Sequence, residues 1–394
     1  MTDPLVPAYT LGTHRLVPPE HTLARIEPLL RRCGITRLAE ITGLDDDFGV
    51  PTYTAVRPGG LVLQTGNGKG LTKAAAKVSA AMEAIELFHA ENPDRSRFVR
   101  TSLEDMRARG LTTLVPLRDQ ADQRFFHSDR CVIDWVQGRE LITGTEPWLP
   151  ASAAYFIEPT IYQTNTNGLA SGNHMVEATV HALYELLERD AISQVVRRDM
   201  LDIRGTCRVV DPTTIADDRL AEIITKIHAA NGQLVLLWVP ARAPVHVLWA
   251  FLLDHRPHHA CTALLMGAGA HPDLRVATAR AITEAIQSRL TVVQAARDDI
   301  MTRPSFMRED LAPSAALRFF ACLRPDTRWS ELAPTAPGSH PERRDLHEHL
   351  AEALAALTAG GHDTVVRIDL CLPTIDVPVV KVIVPSLALR RELL

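Results

Sequence analysis

Short apolar runs alternate with longer amphipathic ones along the chain, and each kind predicts a different element. Short runs rich in apolar and β-branched residues predict strands at 50–56, 60–64, 233–239 and 246–253, and in the closing segments VVRIDLCLP and VPVVKVIVP. Longer runs with a helical repeat predict helices that begin after Lys73, at Met175 and at Arg275. This mixed order predicts the α+β class, built of α/β sandwich subdomains.

The N-terminal segment carries an amphipathic pattern of its own. Leu23 and Ile26 belong to a short helical repeat, which predicts a small helix. We therefore expect residues 1–50 to form an N-terminal helical extension in front of a main domain that covers residues 51–394. Within the main domain, the proline-rich run 323–344 is the best candidate for a loop or linker.

A segment rich in glycine or asparagine precedes each of the three long helices. These segments read NGKG, TNTNGLASGN and GAGAHPD along the chain. Glycine and asparagine are typical of turns because they tolerate a positive φ. The sequence therefore predicts a recurring unit in which a strand, a glycine-rich turn and a helix follow one another.

Each of these helices also carries polar residues along one face. The faces comprise Ser79, Glu83 and Glu86 in the first helix, Glu177, Glu185 and Glu188 in the second, and Arg280, Glu284 and Gln287 in the third. At 100° per residue, the members of the first set fall within about 60° of one another. Apolar residues such as Ile85 lie on the opposite side, so one face packs into a core and the other presents acids.

Clustered glutamates repel one another, and they do so more strongly when water is excluded. They are therefore either well solvated or held by cations, and magnesium bridging carboxylates to phosphate suits oxygen ligands. The second case predicts a nucleotide site. On the pattern alone the alternatives stay open: wet faces of surface helices, turn chemistry for Asn167 and Asn173, and an i,i+4 pair of Arg280 with Glu284.

Composition narrows the class of protein. The 394 residues carry a formal net charge of −5, so no broad basic field attracts nucleic acid. The six cysteines are scattered without a C-x-x-C pair, which predicts reduced thiols and a cytoplasmic protein. The start of the chain lacks the features of a signal peptide, and Pro240 and Pro244 break the most apolar window. We therefore expect no membrane anchor and no nucleic-acid partner.

Several catalytic motifs are missing. Gly70 follows Lys69 where a phosphate-binding loop needs Ser or Thr, and GAGAHP lacks the third glycine of a dinucleotide fingerprint. No G-x-S-x-G or H-E-x-x-H motif is present. The cluster of His255, His258 and His259 has no acidic or cysteine partner at ligand spacing, which makes it a weak metal candidate.

Three long segments together resemble the signature segments of YcaO-domain proteins. They read NGKGLTKAAAKVSAAMEAIE, TNGLASGNHMVEATVHALYELLERD and AHPDLRVATARAITEAIQSRL, and the resemblance extends from about Val50 to the closing IDLCLPTIDVPVVKVIVP. The N-terminal part, with GITRLAEITGLDDDFGVPTYTAVRP, looks most like the subgroup encoded beside TfuA proteins. The resemblance implies a YcaO-type fold for residues 51–394, with a nucleotide site lined by three helices.

The resemblance also implies a chemistry. YcaO proteins use ATP and Mg²⁺ to phosphorylate the oxygen of a peptide backbone amide after a nucleophile has added to its carbon. A Cys, Ser or Thr side chain as nucleophile gives an azoline, sulfide gives a thioamide, and an amine gives an amidine. The TfuA-linked subgroup is associated with thioamides, so we expect a peptide or protein substrate, a TfuA-type partner and a homodimer. An azoline-forming cyclodehydratase, or a nucleotide-binding accessory protein without transfer activity, is the alternative.

Residue by residue, the resemblance assigns roles to positions in this chain. It makes Glu83, Glu86, Glu185 and Glu188 the magnesium ligands, and it places Lys69, Ser79, Asn173, Glu177, Arg189, Arg280 and Glu284 around the nucleotide. Among these, Glu188, Arg189 and Arg280 are expected to act in catalysis.

The chain departs from the family pattern at two places. Leu87 stands where many members have Arg, and the chain ends in ALRRELL where many azoline-forming members have a proline-rich tail. The second departure weakens the azoline interpretation. The residues before about Val50 are also too few for a fused leader-binding domain, so we expect substrate recognition to use a partner or a groove of the protein itself.

Overall fold

The computed structural model describes residues 3–45, 48–114, 128–158, 162, 164–197, 203–241, 245–255, 263–297, 315–332 and 344–389. Its α-helices are α1 (Pro19–Ile26), α2 (Lys73–Glu91), α3 (Leu103–Ala108), α4 (Met175–Arg197), α5 (Ile203–Thr206), α6 (Asp218–Ala229), α7 (Leu274–Gln294), α8 (Ala315–Ala321) and α9 (Leu346–Ala359). Its strands are β1 (Arg37–Glu40), β2 (Thr52–Val56), β3 (Thr65–Lys69), β4 (Val99–Thr101), β5 (Ile133–Gln137), β6 (Arg139–Glu140), β7 (Trp148–Pro150), β8 (Leu169–Ser171), β9 (Arg208–Asp211), β10 (Gly232–Val239), β11 (His246–Asp254), β12 (Leu264–His271), β13 (Thr327–Arg328), β14 (Val366–Asp369) and β15 (Val379–Ile383).

The strands form small sheets that pack against the helices. Their orders are β1-β2-β3, β12-β11-β10-β9-β13, β6-β14-β15-β8 and β4-β5-β7. Neighbours within them are antiparallel except β13 and β9, which are parallel. This mixture of layered sheets and helices is the α+β architecture that the sequence predicts.

Both faces of the five-stranded sheet are covered. On one face Leu237 and Phe251 pack in a core with residues of α4, α8 and α9. On the other face Leu236 and Leu252 pack with residues of α6 and α7. Because successive residues of a strand point to opposite faces, a strand buried on both sides reads as a continuous apolar run. That is why the runs at 233–239 and 246–253 were predictable, and β10 and β11 confirm them.

The first and third glycine-rich segments lie mostly in strands, and their prediction as turns was wrong. Gly66 and Gly68 lie within β3, and Gly267 and Gly269 lie within β12. A Cβ on Gly68 would lie 2.0 Å from the main-chain nitrogen of Ala80, so glycine serves a close approach of strand to helix. The predicted strand at 60–64 is also absent, because the strand begins only at Thr65.

In the second glycine-rich segment, a turn and a strand share the residues. Gly168 has a φ of +71°, as expected of a turn, and β8 follows it directly. The closing strands and the three long helices are confirmed as β14, β15, α2, α4 and α7.

The first 50 residues contain both a helix and a strand. The helix α1 continues into a 3₁₀ turn at Glu27–Leu29, which confirms the short helical repeat. The strand β1 pairs antiparallel with β2, from Arg37 opposite Val56 to Glu40 opposite Tyr53. The extension is thus hydrogen-bonded to the main domain, and the boundary at residue 50 stays a prediction.

Two predictions fall on residues outside the described part of the chain. His258 and His259 of the histidine cluster lie there, as do residues 333–343 of the proline-rich run. Among the described residues, no helix combines the length and the apolar character needed to cross a bilayer.

Candidate functional site

One cavity of about 580 Å³ lies between α2, α4 and α7, and its wall is completed by β3, β8 and the segment 9–22. This volume is within the range of small-molecule sites. The cavity is lined by every residue that the sequence singled out as a site residue: Lys69, Ser79, Glu83, Glu86, Asn173, Glu177, Glu185, Glu188, Arg189, Arg280 and Glu284. Segments far apart in sequence therefore meet at one place.

Helical spacing explains how the acids reach this cavity. On α2, Glu83 and Glu86 face the cavity while Ile85 is fully buried in the core behind it. On α4, Glu188 is 3% exposed and Leu186 packs on the opposite side. Glu188 is buried, and Glu83, Glu86 and Glu185 are half-buried residues that line the cavity, so these acids do not form the fully solvated faces of surface helices.

The carboxylates of α2 are held by main-chain donors. Glu86 Oε1 accepts hydrogen bonds from Ser171 N at 2.7 Å and Ser171 Oγ at 2.5 Å. Burial, together with the nearby charges of Glu83 and Glu185, raises the pKa of Glu86 to about 8 despite these bonds. Burial likewise raises the pKa of Glu83 to about 7, opposed by the charges of Arg297 and Lys69 and by a hydrogen bond from the Asn67 main chain.

The carboxylates of α4 show the same effect. Burial, together with the charge of Glu284, raises the pKa of Glu188 to about 7. Burial also raises the pKa of Glu185, against the charges of Arg189, Lys381 and Arg280. Carboxylates that gather in an enclosed space without enough positive charge hold protons, and a cation that enters the space replaces those protons.

The cavity also contains fixed positive charge. Lys69 Nζ donates to Glu284 Oε2 at 2.9 Å, so Glu284 pairs with β3, and the alternative of a helix pair between Arg280 and Glu284 is not observed among the described residues. Burial alone would raise the pKa of Glu284, but Lys69 and Arg189 outweigh it and the pKa is lowered. Arg189 Nε lies 3.8 Å from Glu188 Oε1. Arg280 Nε is buried and has no hydrogen-bond acceptor in the described part of the chain.

Asn173 and Glu177 line the cavity near the start of α4, at the opposite end of that helix segment from Glu188. Asn173 donates to Glu177 Oε1 through its main-chain N at 3.0 Å and its side-chain Nδ2 at 3.1 Å. Thr22 Oγ1 donates to Asn173 Oδ1 at 2.9 Å. Asn173 is not among the residues with a positive φ, and these bonds join it to α4 and α1, so the turn interpretation is not supported there; the residue lines the cavity.

The donor set suits magnesium. Within the described residues, no three carboxylate, imidazole or thiol groups already converge as a preformed metal site. Magnesium is usually held by one or two carboxylates together with phosphate oxygens and water, so it does not require such convergence. The four glutamates offer only hard oxygen donors, and burial raises their pKa values more than the nearby basic residues lower them. These four residues would hold the metal if it binds in the cavity.

The sequence did not single out several residues that line the cavity. His181 lies four residues from both Glu177 and Glu185 on α4, so the helical repeat that identified the acids includes it. Burial, with the charges of Arg15 and Arg280, lowers the pKa of His181 well below its usual value, so its ring is neutral. Arg15 and Tyr9 come from the N-terminal segment, and no local pattern identifies them.

Comparisons with known proteins identify the family of the chain. Residues 67–388 match the family model described as YcaO cyclodehydratase, ATP- and Mg²⁺-binding. An uncharacterized Mycobacterium tuberculosis protein is 31% identical over 401 residues, covering 98% of this chain and 85% of that protein. An uncharacterized protein from Rhizobium leguminosarum bv. trifolii, encoded in the 3′ region of tfuA, is 32% identical over 386 residues, covering 95% and 88%.

Solved structures share the fold. YcaO from Methanopyrus kandleri, bound with AMPPCP and Mg²⁺, has a TM-score of 0.75 at 22% identity, covering 97% of this chain and 94% of that one. A heterocyclase in complex with substrate and cofactor has a TM-score of 0.76 at 20% identity, covering 97% of this chain and 54% of that one. The chain belongs to the YcaO family, whose cofactors are ATP and Mg²⁺.

Proposed function

We propose that this protein uses ATP and Mg²⁺ to phosphorylate the oxygen of a peptide backbone amide, and that it does so to form a thioamide with a TfuA-type partner. The observation that carries the proposal is the enclosure of Glu83, Glu86, Glu185 and Glu188 in one cavity with raised carboxyl pKa values. Such a cavity is stable in its ionised form only with bound cations, and the adjacent basic residues suit a polyphosphate.

The basic residues would bind and orient the reacting groups. Sulfide adds to the amide carbon, and the electron pair of the carbonyl moves to its oxygen. That oxygen attacks the γ-phosphorus, the bond from phosphorus to the β,γ-bridging oxygen breaks, and ADP leaves. Arg189 and Arg280 would stabilise the charge that develops on the transferred phosphoryl group, and Lys69 would hold the phosphate end. Collapse of the adduct then releases phosphate, and the sulfur loses its proton to leave C=S.

The four carboxylates would hold the metal beside the phosphate groups. Glu83 and Glu86 would contribute from α2, with Glu185 and Glu188 from α4. When bound, Mg²⁺ neutralises the charge of the phosphates and orients the γ-phosphate for transfer. The buried carboxylates would lose their protons as the metal binds.

The thioamide product is supported by the gene neighbourhood of a relative. The Rhizobium protein is encoded beside tfuA, and this chain covers 88% of its length. The heterocyclase with the same fold favours the second candidate, an azoline-forming cyclodehydratase. A nucleotide-binding accessory protein without transfer activity is the third. We further propose a cytoplasmic homodimer, for which light scattering would give twice the monomer mass of 43.4 kDa.

The test is a reconstitution with the purified protein, its TfuA-type neighbour, candidate peptides encoded nearby, ATP, Mg²⁺ and sulfide. ADP release that depends on the peptide, with a product in which sulfur has replaced oxygen, supports the proposal. Loss of water from the peptide would instead identify the cyclodehydratase. ATP binding without peptide-dependent ADP release, across peptides that a related YcaO enzyme modifies, would identify the accessory protein.

A further inference from the structure

The N-terminal strap, which we define as residues 9–17, closes one end of the cavity. Its two ends pair, with Tyr9 N donating to Arg15 O at 3.0 Å and Arg15 N donating to Tyr9 O at 2.8 Å. Gly12 turns the chain between them with a φ of +68° and packs against Leu71. The strap is therefore a small preformed hairpin whose side chains line the cavity.

Glu177 fixes the strap to α4. Its Oε2 accepts a hydrogen bond from Leu16 N at 2.8 Å, and its Oε1 lies 3.3 Å from Arg15 Nη1. The same Oε1 also accepts both bonds from Asn173. With its side chain only 2% exposed, this carboxylate is engaged by protein donors on both oxygens. It is thus poorly placed to contact a nucleotide directly.

His14 attaches the N-terminal strap to the rest of the protein at a second point. Its ring is buried and stacks on His349 at a centroid distance of 5.3 Å. Its Nδ1 is hydrogen-bonded to His271 Nε2. Because His271 Nδ1 accepts from Asp273 N at 2.9 Å, His271 carries its proton on Nε2 and donates it to His14. The residue next to Arg15 is therefore held rigidly.

Arg15 is oriented by these attachments. Its Nη1 contacts Glu177 and, at 3.5 Å, the Ser171 main-chain oxygen. Within the described part of the chain, its Nε and Nη2 have no acceptor, and the side chain lines the cavity with 27% exposure. A guanidinium offers five N–H donors, so most of its donor capacity is available to a ligand.

The position of Arg15 along the cavity indicates which part of a bound nucleotide it would contact. Glu177, beside Arg15, lies about 16 Å along α4 from Glu188, at 1.5 Å per residue. Glu188 therefore lies farther along the cavity, where the γ-phosphate would bind. Glu86 is nearer to Arg15, because Ser171 contacts both side chains. His181 lies between the two ends, and the charge of Arg15 contributes to lowering its pKa. The planar guanidinium binds two oxygens of a phosphate in a bidentate manner, so a phosphate is a suitable partner for Arg15.

We propose that Arg15 binds the α-phosphate of ATP, and that Glu177 is a positioning residue that acts through Arg15. This inference rests on the proposed function, because it requires ATP in the cavity. Arg15 would neutralise phosphate charge at the nucleoside end while Arg189 and Arg280 serve the transferred group.

The first test is calorimetric titration of ATP, ADP and adenosine, with Mg²⁺, into the protein and into Arg15→Met. We expect ATP and ADP to bind about tenfold more weakly or worse, because a charge-assisted hydrogen bond is lost, and adenosine to bind unchanged. Arg25→Met is the matched control. Arg25 donates to the Gly172 and Asn173 main-chain oxygens nearby but does not line the cavity, so a change of less than about threefold is expected.

Unchanged ATP affinity in Arg15→Met would overturn the inference, as would an equal loss for adenosine. Wild-type protein that binds no ATP would instead refute the proposed function, so the two failures are distinguishable. Thermal unfolding of each variant verifies that it is folded.

A double-mutant cycle tests the role of Glu177. We expect Glu177→Gln to weaken ATP binding in the wild-type background and to have little further effect in Arg15→Met, because its contribution passes through Arg15. An equal loss in both backgrounds would show that Glu177 acts independently of Arg15 and would overturn the positioning role.

Discussion

At the scale of single residues, burial decides the chemistry of the glutamates. In the sequence, Glu86 and Glu188 are simply acids at helical spacing, and spacing is equally compatible with solvent and with a metal. In the structure, burial raises their pKa values to about 8 and about 7. A carboxylate with such a pKa binds a proton or a cation near neutral pH, so the enclosure explains why these acids are suited to magnesium.

Glu188→Gln is predicted to abolish turnover and to preserve the fold. The amide has nearly the same shape but cannot act as an anionic metal ligand, so we expect peptide-dependent ADP release to fall by about a hundredfold or more. Thermal unfolding should change little, since a buried negative charge is removed. Glu222→Gln is the control, because its side chain is 66% exposed on α6. Retained turnover in Glu188→Gln would contradict the metal assignment.

The ligand-free protein is predicted to lose stability as the pH rises towards about 8. Glu86 has a folded pKa of about 8 against a usual value of 4.5, so the folded state retains a proton that the unfolded state has released. Its stabilising contribution is complete below pH 4.5 and is lost as the pH rises through about 8. Urea unfolding across this range measures the effect, and Glu86→Gln should flatten the dependence. An equally steep slope in that variant would disprove the assignment to Glu86.

At the scale of elements, the glycines allow close packing of strands against helices, whereas their sequence context predicts turns. The segments NGKG and GAGAH look like turns because glycine tolerates a positive φ, yet Gly66, Gly68, Gly267 and Gly269 sit in strands. The helices that carry the acids lie directly on those strands. Glycine is needed because any side chain would push α2 away from β3 and α7 away from β12.

Gly68→Ala is predicted to destabilise the protein by about 3 kcal/mol or more, because the new Cβ meets main chain that cannot move aside. The contact distances would be 2.0 Å to Ala80 N and 2.5 Å to Ala76 O. Gly59→Ala is the control, since a Cβ added there would have no atom within 4 Å. Urea unfolding compares them, and equal stabilities would refute the close-packing explanation.

At the scale of the whole molecule, the cavity is assembled from segments that are distant in sequence. Its wall combines the N-terminal strap with α2, α4 and α7, so residues such as Arg15 and Glu177 meet across 162 positions. A ligand bound in this cavity would contact several of these segments at once. Its binding is therefore coupled to the folding of the entire described structure.

Mg²⁺ and ATP together are predicted to raise the unfolding temperature, and each alone to raise it less. A ligand at about 100 times its dissociation constant stabilises the folded state by about 2.7 kcal/mol when it does not bind the unfolded chain. Thermal unfolding with each component separately and together measures the effect. Glu188→Gln should lose the part of the increase that needs Mg²⁺, and a full increase in that variant would argue against the site.

The thiols are predicted to be dispensable for turnover. The described cysteines are all free, with Cys33 buried and Cys322 exposed, and none of them lines the cavity. We expect Cys33→Ala and Cys322→Ala to retain ADP release, and reducing agents to leave it unchanged. A large loss in either folded variant would reveal a thiol with a role in the reaction.

The sequence by itself determined the short helix α1, the three long helices, five of the strands (β2, β10, β11, β14 and β15), the family and the set of candidate residues that line the cavity together. These features are local, because helical periodicity and long contiguous segments express them directly. Only the tertiary structure decided that the first and third glycine-rich segments lie mostly in strands, that Glu284 pairs with Lys69, and that Arg15 belongs to the site. Those features depend on contacts between distant segments. Burial, which sets the carboxyl pKa values, likewise exists only after the layers have packed.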